Sequence, residues 1–261
     1  MTVEPGSLDL ALALDGLEPA DADSEDNESN LWAGDLDVMA THLSGPYGSH
    51  SYIVAHDRSA TWGLPGAPQI LAIAVARDFA LGTFTLEQAF HASVPFAQAW
   101  LVERGCPPER TAVPAGTFIE PADDLTRRTE QKIREAGQRY QVLDTHTRDY
   151  DPYESWTLAR DTLALQEPIR VFLERDNPKT FTYTVREGAF ADEDAANAWL
   201  EDRDGPLPPE PAEQADATSA RARAALARST SPTGPRAVCG LDTLPQPTPP
   251  AAQRPGPGRS L

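Results

Sequence analysis

Residues 170–187 read RVFLERDNPKTFTYTVRE, and this stretch decides the fold class. Its two ends, RVFLER (170–175) and TFTYTVRE (180–187), are rich in β-branched and aromatic residues, which favour strands. Between them, Asp176-Asn177-Pro178-Lys179 has the composition of a tight turn. In the second segment apolar and polar side chains alternate, so a strand there would bury one face and expose the other. The apolar set is Phe181, Tyr183 and Val185. The stretch therefore predicts an antiparallel hairpin.

Two further strands precede this hairpin, and a helix follows it. RYQVLDTHT (139–147) and ESWTLARD (154–161) carry a similar mixture of β-branched, aromatic and alternating polar residues. After the hairpin, DEDAANAWLEDR (192–203) has helix-forming residues behind Asp192, which is a residue type that caps helix N-termini. Residues 139–203 are therefore predicted to form a four-stranded antiparallel meander that ends in a helix.

Upstream of the meander, the sequence predicts one strand and three helices. SYIVAHD (51–57) alternates and is interpreted as a strand. PQILAIAVARDFALG (68–82) is apolar almost all round, and its length and alanines favour a buried helix. TLEQAFHASVPFAQAWLVERG (85–105) has apolar residues at helical spacing and is predicted as a helix that Pro95 kinks or divides. EPADDLTRRTEQKIREAG (120–137) has few apolar residues and is predicted as a surface helix.

Segregated helices and strands indicate an α+β fold rather than a parallel α/β fold. We expect a single domain with an antiparallel sheet of about four to five strands and about four helices, flanked by disordered tails. The folded domain is predicted to span residues 31–203. Residues 1–30, with nine acids and no base, form an acidic and mostly disordered arm. Residues 204–261 hold 12 of the 25 prolines and form a disordered tail rich in Pro, Ala and Arg. No segment repeats at a fixed period.

The N-terminal arm contains one short apolar segment, LDLALAL (8–14), flanked by acids. Such a segment either docks in a groove of a partner or packs back on its own domain as a strand or a helical turn. Local burial is the usual explanation of a short apolar segment, so the second alternative is favoured.

The formal net charge of -18 excludes several classes of partner. A negative surface repels nucleic-acid phosphates and anionic lipid, so neither direct nucleic-acid binding nor membrane binding is expected. The longest apolar run, ILAIAVA (70–76), is far shorter than the roughly 20 residues that a spanning helix needs. The same charge permits an inverse hypothesis, that the protein is an acidic DNA mimic.

The compartment and source are predicted from composition. MTVEPGSLDL (1–10) lacks the positive n-region of a secretory signal, and two cysteines in unlike contexts do not indicate a disulfide framework. Both observations favour the cytoplasm. Only two of the 22 basic residues are lysines, which is typical of a GC-rich bacterium.

The densest group of chemically active side chains lies in residues 139–161. If 140–147 is a strand, Tyr140, Val142, Asp144 and His146 share one face. An acid beside an imidazole can orient it for general-base catalysis. The candidates for this site are Asp144, His146, Asp149, Asp151 and Glu154. The favoured alternative is a hairpin connection, because Asp-Pro is a turn dipeptide and acids there bind local backbone amides.

His42, His50 and His56 lie within 15 residues of one another and are weak candidates for a metal site. His50 and His56 share a strand face but lie about 20 Å apart along an extended chain, too far to share one zinc ion. The sequence contains none of the short phosphate-binding, zinc-protease or nucleophile-elbow motifs. No cofactor and no metal are therefore expected.

These observations leave three functional hypotheses. The leading one is a non-catalytic protein-interaction or regulatory module with an unidentified protein partner, since a compact domain without a complete catalytic motif carries two arms of different charge. The second is a hydrolase-type enzyme that uses the Asp144/His146 cluster. The third is the acidic DNA-mimic inhibitor.

Overall fold

The structure is a computed structural model of the chain, and it describes residues 8–31, 33–114, 116, 119–203 and 205–209. Helices and two mixed sheets give an α+β fold, which confirms the predicted class. The structure has two five-stranded sheets where the sequence predicted one.

The first half of the chain forms one sheet with helices on both faces. Its strands are β1 (Glu18–Pro19), β2 (Leu36–Ser44), β3 (His50–Asp57), β4 (Ile70–Asp78) and β5 (Thr83–His91). Its helices are α1 (Leu8–Leu12), α2 (Ala22–Ser29), the single turn α3 (Ala60–Gly63) and α4 (Val94–Glu103). The strand order is β1-β5-β4-β3-β2, with an antiparallel meander from β2 to β5 and with β1 parallel to β5.

The second half forms another sheet by the same route. Its elements are β6 (Glu120–Pro121), α5 (Asp124–Arg134), β7 (Tyr140–Arg148), β8 (Glu154–Asp161), β9 (Ile169–Asn177), β10 (Thr182–Phe190) and α6 (Glu193–Asp202). The strand order is β6-β10-β9-β8-β7, again a meander with one short parallel edge strand. The predicted meander and hairpin are present, as is the cap at Asp192, which accepts a hydrogen bond from the Ala195 amide at 2.8 Å. Phe181 was predicted on the buried face of the hairpin, but it is exposed and lies in the turn, where its φ is positive, so β10 begins at Thr182.

The two halves share their strand order and two short matching sequence segments. EPAD occurs at 18–21 and again at 120–123, and in both places it forms the edge strand and the cap of the next helix. AWL occurs at 99–101 and at 198–200. Each copy is followed by an arginine that lies over its tryptophan, 3.4 Å from the ring centroid for Arg104 and 5.0 Å for Arg203. The sequence was expected to contain no repeat at a fixed period, and these two pairs of segments do recur at different separations.

Helices and sheets alternate in layers. Leu8 and Leu12 of α1 pack on one face of the first sheet, and Ala97 and Leu101 of α4 pack on its other face. Phe96 of α4 then packs on the second sheet. The helix α4 therefore contributes to the hydrophobic cores of both halves, and α5 lies beside it. The outer face of the second sheet is covered by α6.

The segment 68–82 was predicted as a helix, but residues 70–78 form the strand β4. This strand is central in its sheet and both of its faces are buried, with Leu71 and Ile73 on one side and Ile70 and Ala72 on the other. A strand buried on both faces loses the alternation that distinguishes it from a buried helix.

The segment 85–105 was predicted as a single helix, but it contains the end of β5 and all of α4. The strand ends at His91, Ser93 occupies the N-cap position, and Pro95 lies in the first turn of α4, where proline is tolerated. Pro95 thus marks the beginning of a helix and not a kink inside one.

The helix α5 does not lie on the surface as its sparse apolar residues predicted. Thr126, Thr129, Glu130 and Ile133 are buried between the two sheets. The polar members of this face have hydrogen-bond partners, among them Thr126, whose hydroxyl accepts the Val185 amide at 3.3 Å.

The folded part of the chain begins before residue 31. Residues 8–12 are helical, with Leu8, Ala11 and Leu12 buried, and the buried Arg77 donates a hydrogen bond to the Ala13 carbonyl at 3.0 Å and another to the Leu12 carbonyl. The acidity of this segment predicted disorder, whereas its few apolar residues pack on the first sheet. Of the two alternatives for LDLALAL, the structure has the favoured one, in which the segment packs on its own domain.

At the other end, Leu207 packs on the second sheet, so the fold continues past the predicted boundary at 203. Residues 210–261, most of the predicted tail, lie outside the described residues. In the described ranges, no helix has both the length and the apolar character needed to cross a membrane.

Candidate functional site

A cleft of about 630 Å³ lies between the two sheets, beside the N-terminal end of α4 and one side of α5. Both halves contribute to its walls, and it lies where the shared helix layer does not fill the space between the sheets. The first half contributes Met39, His56, Arg58, Gln69, Ile70, Ala92, Val94, Pro95, Gln98, Ala112 and Val113. The remaining residues of the cleft lining are Ile119, Pro121, Glu130, Arg134, Thr147, Arg148, Asp149, Tyr153, Glu154, Ser155, Glu174, Asp176 and Tyr183.

The wall of the first sheet is largely apolar. On β3, Tyr52 and Val54 are buried against α4, and His56 continues this face into the cleft, as the predicted alternation requires. Ile70, the register partner of His56, and Met39 line the same wall.

The wall of the second sheet carries acids. Glu174 and Asp176 are two residues apart on β9, so their side chains share one face. The register pairs Asp176 with Tyr183 on β10 and Glu174 with Ser155 on β8. Glu130 enters from α5, and the Tyr183 hydroxyl donates a short hydrogen bond to it.

The acids of this wall hold protons more tightly than free carboxyls do. Burial, reinforced by the charges of Asp176 and Glu130, raises the pKa of Glu174 well above its usual value. Asp176 lies at the exposed end of this wall, and partial desolvation of its carboxyl raises its pKa to about 6. Burial also raises the pKa of Glu130, although the Tyr183 hydrogen bond partly opposes this shift. Within the described ranges, the side chains of Glu174 and Asp176 have neither an ion pair nor a hydrogen bond.

Thr147 ends the face of β7 that lines the cleft. Its side chain is only 8% exposed, and its hydroxyl has no hydrogen-bond partner among the described residues. Its amide donates to the Gly66 carbonyl at 3.0 Å, so this position also joins the two halves. A buried hydroxyl without a partner is uncommon in proteins, because its desolvation is then uncompensated.

The basic side chains of the cleft already have protein partners. Arg58 lies 3.3 Å from Asp37, and Arg134 donates to the Gln98 side chain at 3.0 Å. Arg148 lies 3.9 Å from Glu154. The arginines therefore leave the carboxylates of β9 without a counter-ion.

Asp144 and His146 lie on the opposite face of the second sheet from the cleft. They still share a face with each other, but Tyr140 and Val142 do not share it. A β-bulge between Val142 and Asp144 inserts an extra residue and reverses the alternation that was predicted through 140–147.

The surroundings of His146 and Asp144 are structural. The His146 ring stacks on Trp156 at a centroid distance of 5.7 Å and lies against Gly66. The Asp144 carboxylate accepts the Thr145 amide at 2.8 Å. Neither side chain enters the cleft.

The other three acids of this stretch have different environments. Asp149 lines the cleft and accepts a hydrogen bond from Thr61 at 2.6 Å. Asp151 lies in the exposed turn. Glu154 is buried at the rim of the cleft among three arginines. These are Arg203 at 2.9 Å, Arg175 at 3.3 Å and Arg148 at 3.9 Å.

The three candidate metal ligands do not converge. His42 and His50 flank the Tyr52 ring, with centroid distances of 6.3 Å and 6.4 Å, while His56 lies farther along β3 in the cleft. In the part of the chain that is described, no three His, Cys, Asp or Glu side chains are placed to hold a metal ion.

Sequence reasoning missed Glu130, Thr147, Glu174, Asp176 and Tyr183 as site residues. One signal was present, since Glu174 and Asp176 are two residues apart in the hairpin that decided the fold. Their meeting with Glu130 depends on the second sheet packing against α5.

The chain matches no protein-family model, no curated protein and no solved structure.

Proposed function

We propose that the chain is a non-catalytic protein-interaction module that holds part of a partner protein in the cleft between its two halves. The observation that supports this most is a cleft of about 630 Å³ with one apolar wall and one acidic wall, on which Glu174 and Asp176 have no side-chain partner among the described residues. A concave apolar site with a few converging polar groups is the usual form of a binding site.

The non-catalytic part of the proposal rests on the separation of the predicted base and its orienting acid from the cleft. The net charge of -18 favours a protein partner over a nucleic acid, since phosphates would be repelled. We place the module in the cytoplasm, and the buried free Cys106 is compatible with a reducing compartment.

Affinity capture with a blocked cleft tests this proposal. The tagged full-length chain is compared with Ala112→Trp, which adds an indole at an exposed position of the cleft lining. The matched control is Ala198→Trp, which adds the same group on the exposed side of α6. We expect one stoichiometric protein to bind the wild type and the control and to be lost with Ala112→Trp. Equal recovery with all three chains would place the binding surface elsewhere.

A hydrolase is the second candidate, and the raised pKa of Asp176, about 6, is the observation that favours it. A carboxyl with a pKa of about 6 keeps a protonated fraction close to neutral pH and can act as a general acid. Turnover of a bound compound by the wild type, abolished by Asp176→Asn, would replace the binding proposal with this one.

A further inference from the structure

We propose that the cleft binds an organic cation, namely the guanidinium or ammonium group of a basic side chain that the partner presents on its apolar stem. This inference rests on the proposed function and names the chemistry of the bound group.

The acidic wall is the first argument. Glu130, Glu174 and Asp176 converge on one side of the cleft, and the two on β9 have no counter-ion within the described ranges. Carboxylates that are close together and partly desolvated repel each other, and a cation between them removes that repulsion. A bound anion would increase it.

The basic residues of the lining do not serve as that cation. Arg58 is held by Asp37 and by the Gly34 carbonyl, and Arg134 is held by Gln98. Arg148 approaches Glu154, at the rim. Glu174 and Asp176 are therefore left for a group from outside the chain.

Thr147 provides an independent argument. Thr147 is one of the cleft-lining residues, and its buried hydroxyl has no partner among the described residues. A hydroxyl oxygen accepts hydrogen bonds, and guanidinium and ammonium groups offer only donors. A cation in the cleft would satisfy the hydroxyl and the carboxylates at the same time.

The apolar wall is the third argument, because it provides a surface for the methylene stem of a basic side chain. Met39, Ile70, Val94 and Val113 lie on the side of the cleft that the first half forms. Lysine and arginine bury their methylene chains against apolar surface while the charged head finds polar partners. The net charge of -18 would also attract a basic segment over a distance.

Titration of the full-length chain with small probes, followed by ¹H–¹⁵N NMR at pH 7.5, tests the inference. The cationic probes are N-acetyl-arginine methylamide and the corresponding capped lysine. The neutral isostere is capped citrulline, and cadaverine represents a free small amine. The variants are Glu174→Gln and Asp176→Asn, with Glu201→Gln and Asp202→Asn on the exposed end of α6 as matched controls.

We expect a capped basic residue to shift the resonances of cleft residues and capped citrulline not to. Loss of one charged partner in each β9 variant is expected to weaken binding by about tenfold or more, and the control variants are expected to bind as the wild type does. Citrulline binding as well as arginine would overturn the inference, as would equal binding by the β9 variants. Cadaverine binding more tightly than both capped residues would overturn the assignment to a partner's side chain.

The two proposals fail separately. If Ala112→Trp removes the captured partner but no cation binds the cleft, the interaction module stands and the cationic ligand is rejected. If cations bind but Ala112→Trp leaves the captured partner in place, the cleft is a small-molecule site and the interaction proposal is rejected.

Discussion

At the scale of single residues, two acids of the cleft lower the stability of the folded state. Glu174 and Asp176 are held together without a counter-ion, and both titrate above their usual range. Side chains that destabilise the folded state are typical of binding sites, because a bound ligand relieves the unfavourable interaction.

Asp176→Asn is expected to raise the melting temperature at pH 7.5. The folded-state pKa of Asp176, about 6, lies above its unfolded value, so this carboxyl favours the folded state at low pH. That contribution to stability is lost as the pH rises through about 6. The uncharged amide of the variant does not ionise, so the variant avoids this loss. Melting curves of both chains between pH 4.5 and pH 8 check this, with Asp202→Asn as control. A wild type more stable than the variant at pH 7.5 would contradict it.

Arg170→Leu is expected to lower the free energy of unfolding by about 3–5 kcal/mol. The Arg170 side chain is fully buried, 3.3 Å from Asp161 and 3.4 Å from Glu187, and both acids are buried too. Removing the arginine leaves these carboxylates undercompensated, although the first half has Leu71 at the equivalent position of β4.

Urea denaturation measures this loss. Arg160→Leu is the control, because Arg160 pairs with Glu193 at the surface and is expected to contribute only about 0–1 kcal/mol. Equal losses in the two variants would show that the buried network contributes nothing beyond a surface pair.

At the scale of elements, each short edge strand is extended by a helix hydroxyl. β6 pairs with only two residues of β10, and beyond them the Val185 amide donates to the Thr126 hydroxyl of α5 at 3.3 Å. In the first half the Leu86 amide donates to Ser24 of α2 at 3.1 Å. Both halves thus have this hydrogen bond, and its acceptor is a serine in the first half and a threonine in the second.

Thr126→Val is expected to cost about 1–3 kcal/mol of stability, because it leaves the Val185 amide buried without an acceptor. Thr126→Ser keeps the hydroxyl, as Ser24 does in the first half, and should cost less. Thermal unfolding of the two variants compares them. If valine is tolerated as well as serine, the hydroxyl does not stabilise the edge.

The sequence predicts the elements of the second half well, because its strands have one polar and one apolar face. It fails for β4 and β5, since β4 is buried on both faces and Pro95 was placed inside a helix that it begins. The cleft could not be predicted, because Glu130 meets Glu174 and Tyr183 only through the packing of α5 against the second sheet. The bulge at Leu143, which turns His146 away, has no local sequence signal that we can identify.

At the scale of the whole molecule, the two halves share the layer formed by α4 and α5. Phe96 is 5% exposed and packs edge-on against Phe172 at a centroid distance of 5.3 Å, although these residues belong to different halves. The second half therefore buries part of its core against a helix that belongs to the first half.

The described halves are therefore expected to unfold in one transition, and Phe96→Ala is expected to lower its free energy by about 3–5 kcal/mol. Far-ultraviolet circular dichroism and tryptophan fluorescence, followed together in urea, measure both properties. Non-coincident transitions in the wild type would show that the halves are independent.

The shared helix α4 also determines how the two halves are stacked. It packs on the second sheet as α1 packs on the first, and on the first sheet as α6 packs on the second. The repeats therefore stack head to tail. A single repeat with the same two surfaces would add copy after copy, which gives a ring where the rotation between copies closes and an open filament where it does not. In the present chain, α1 with α2 at one end and α6 at the other act as caps that stop this growth after two repeats.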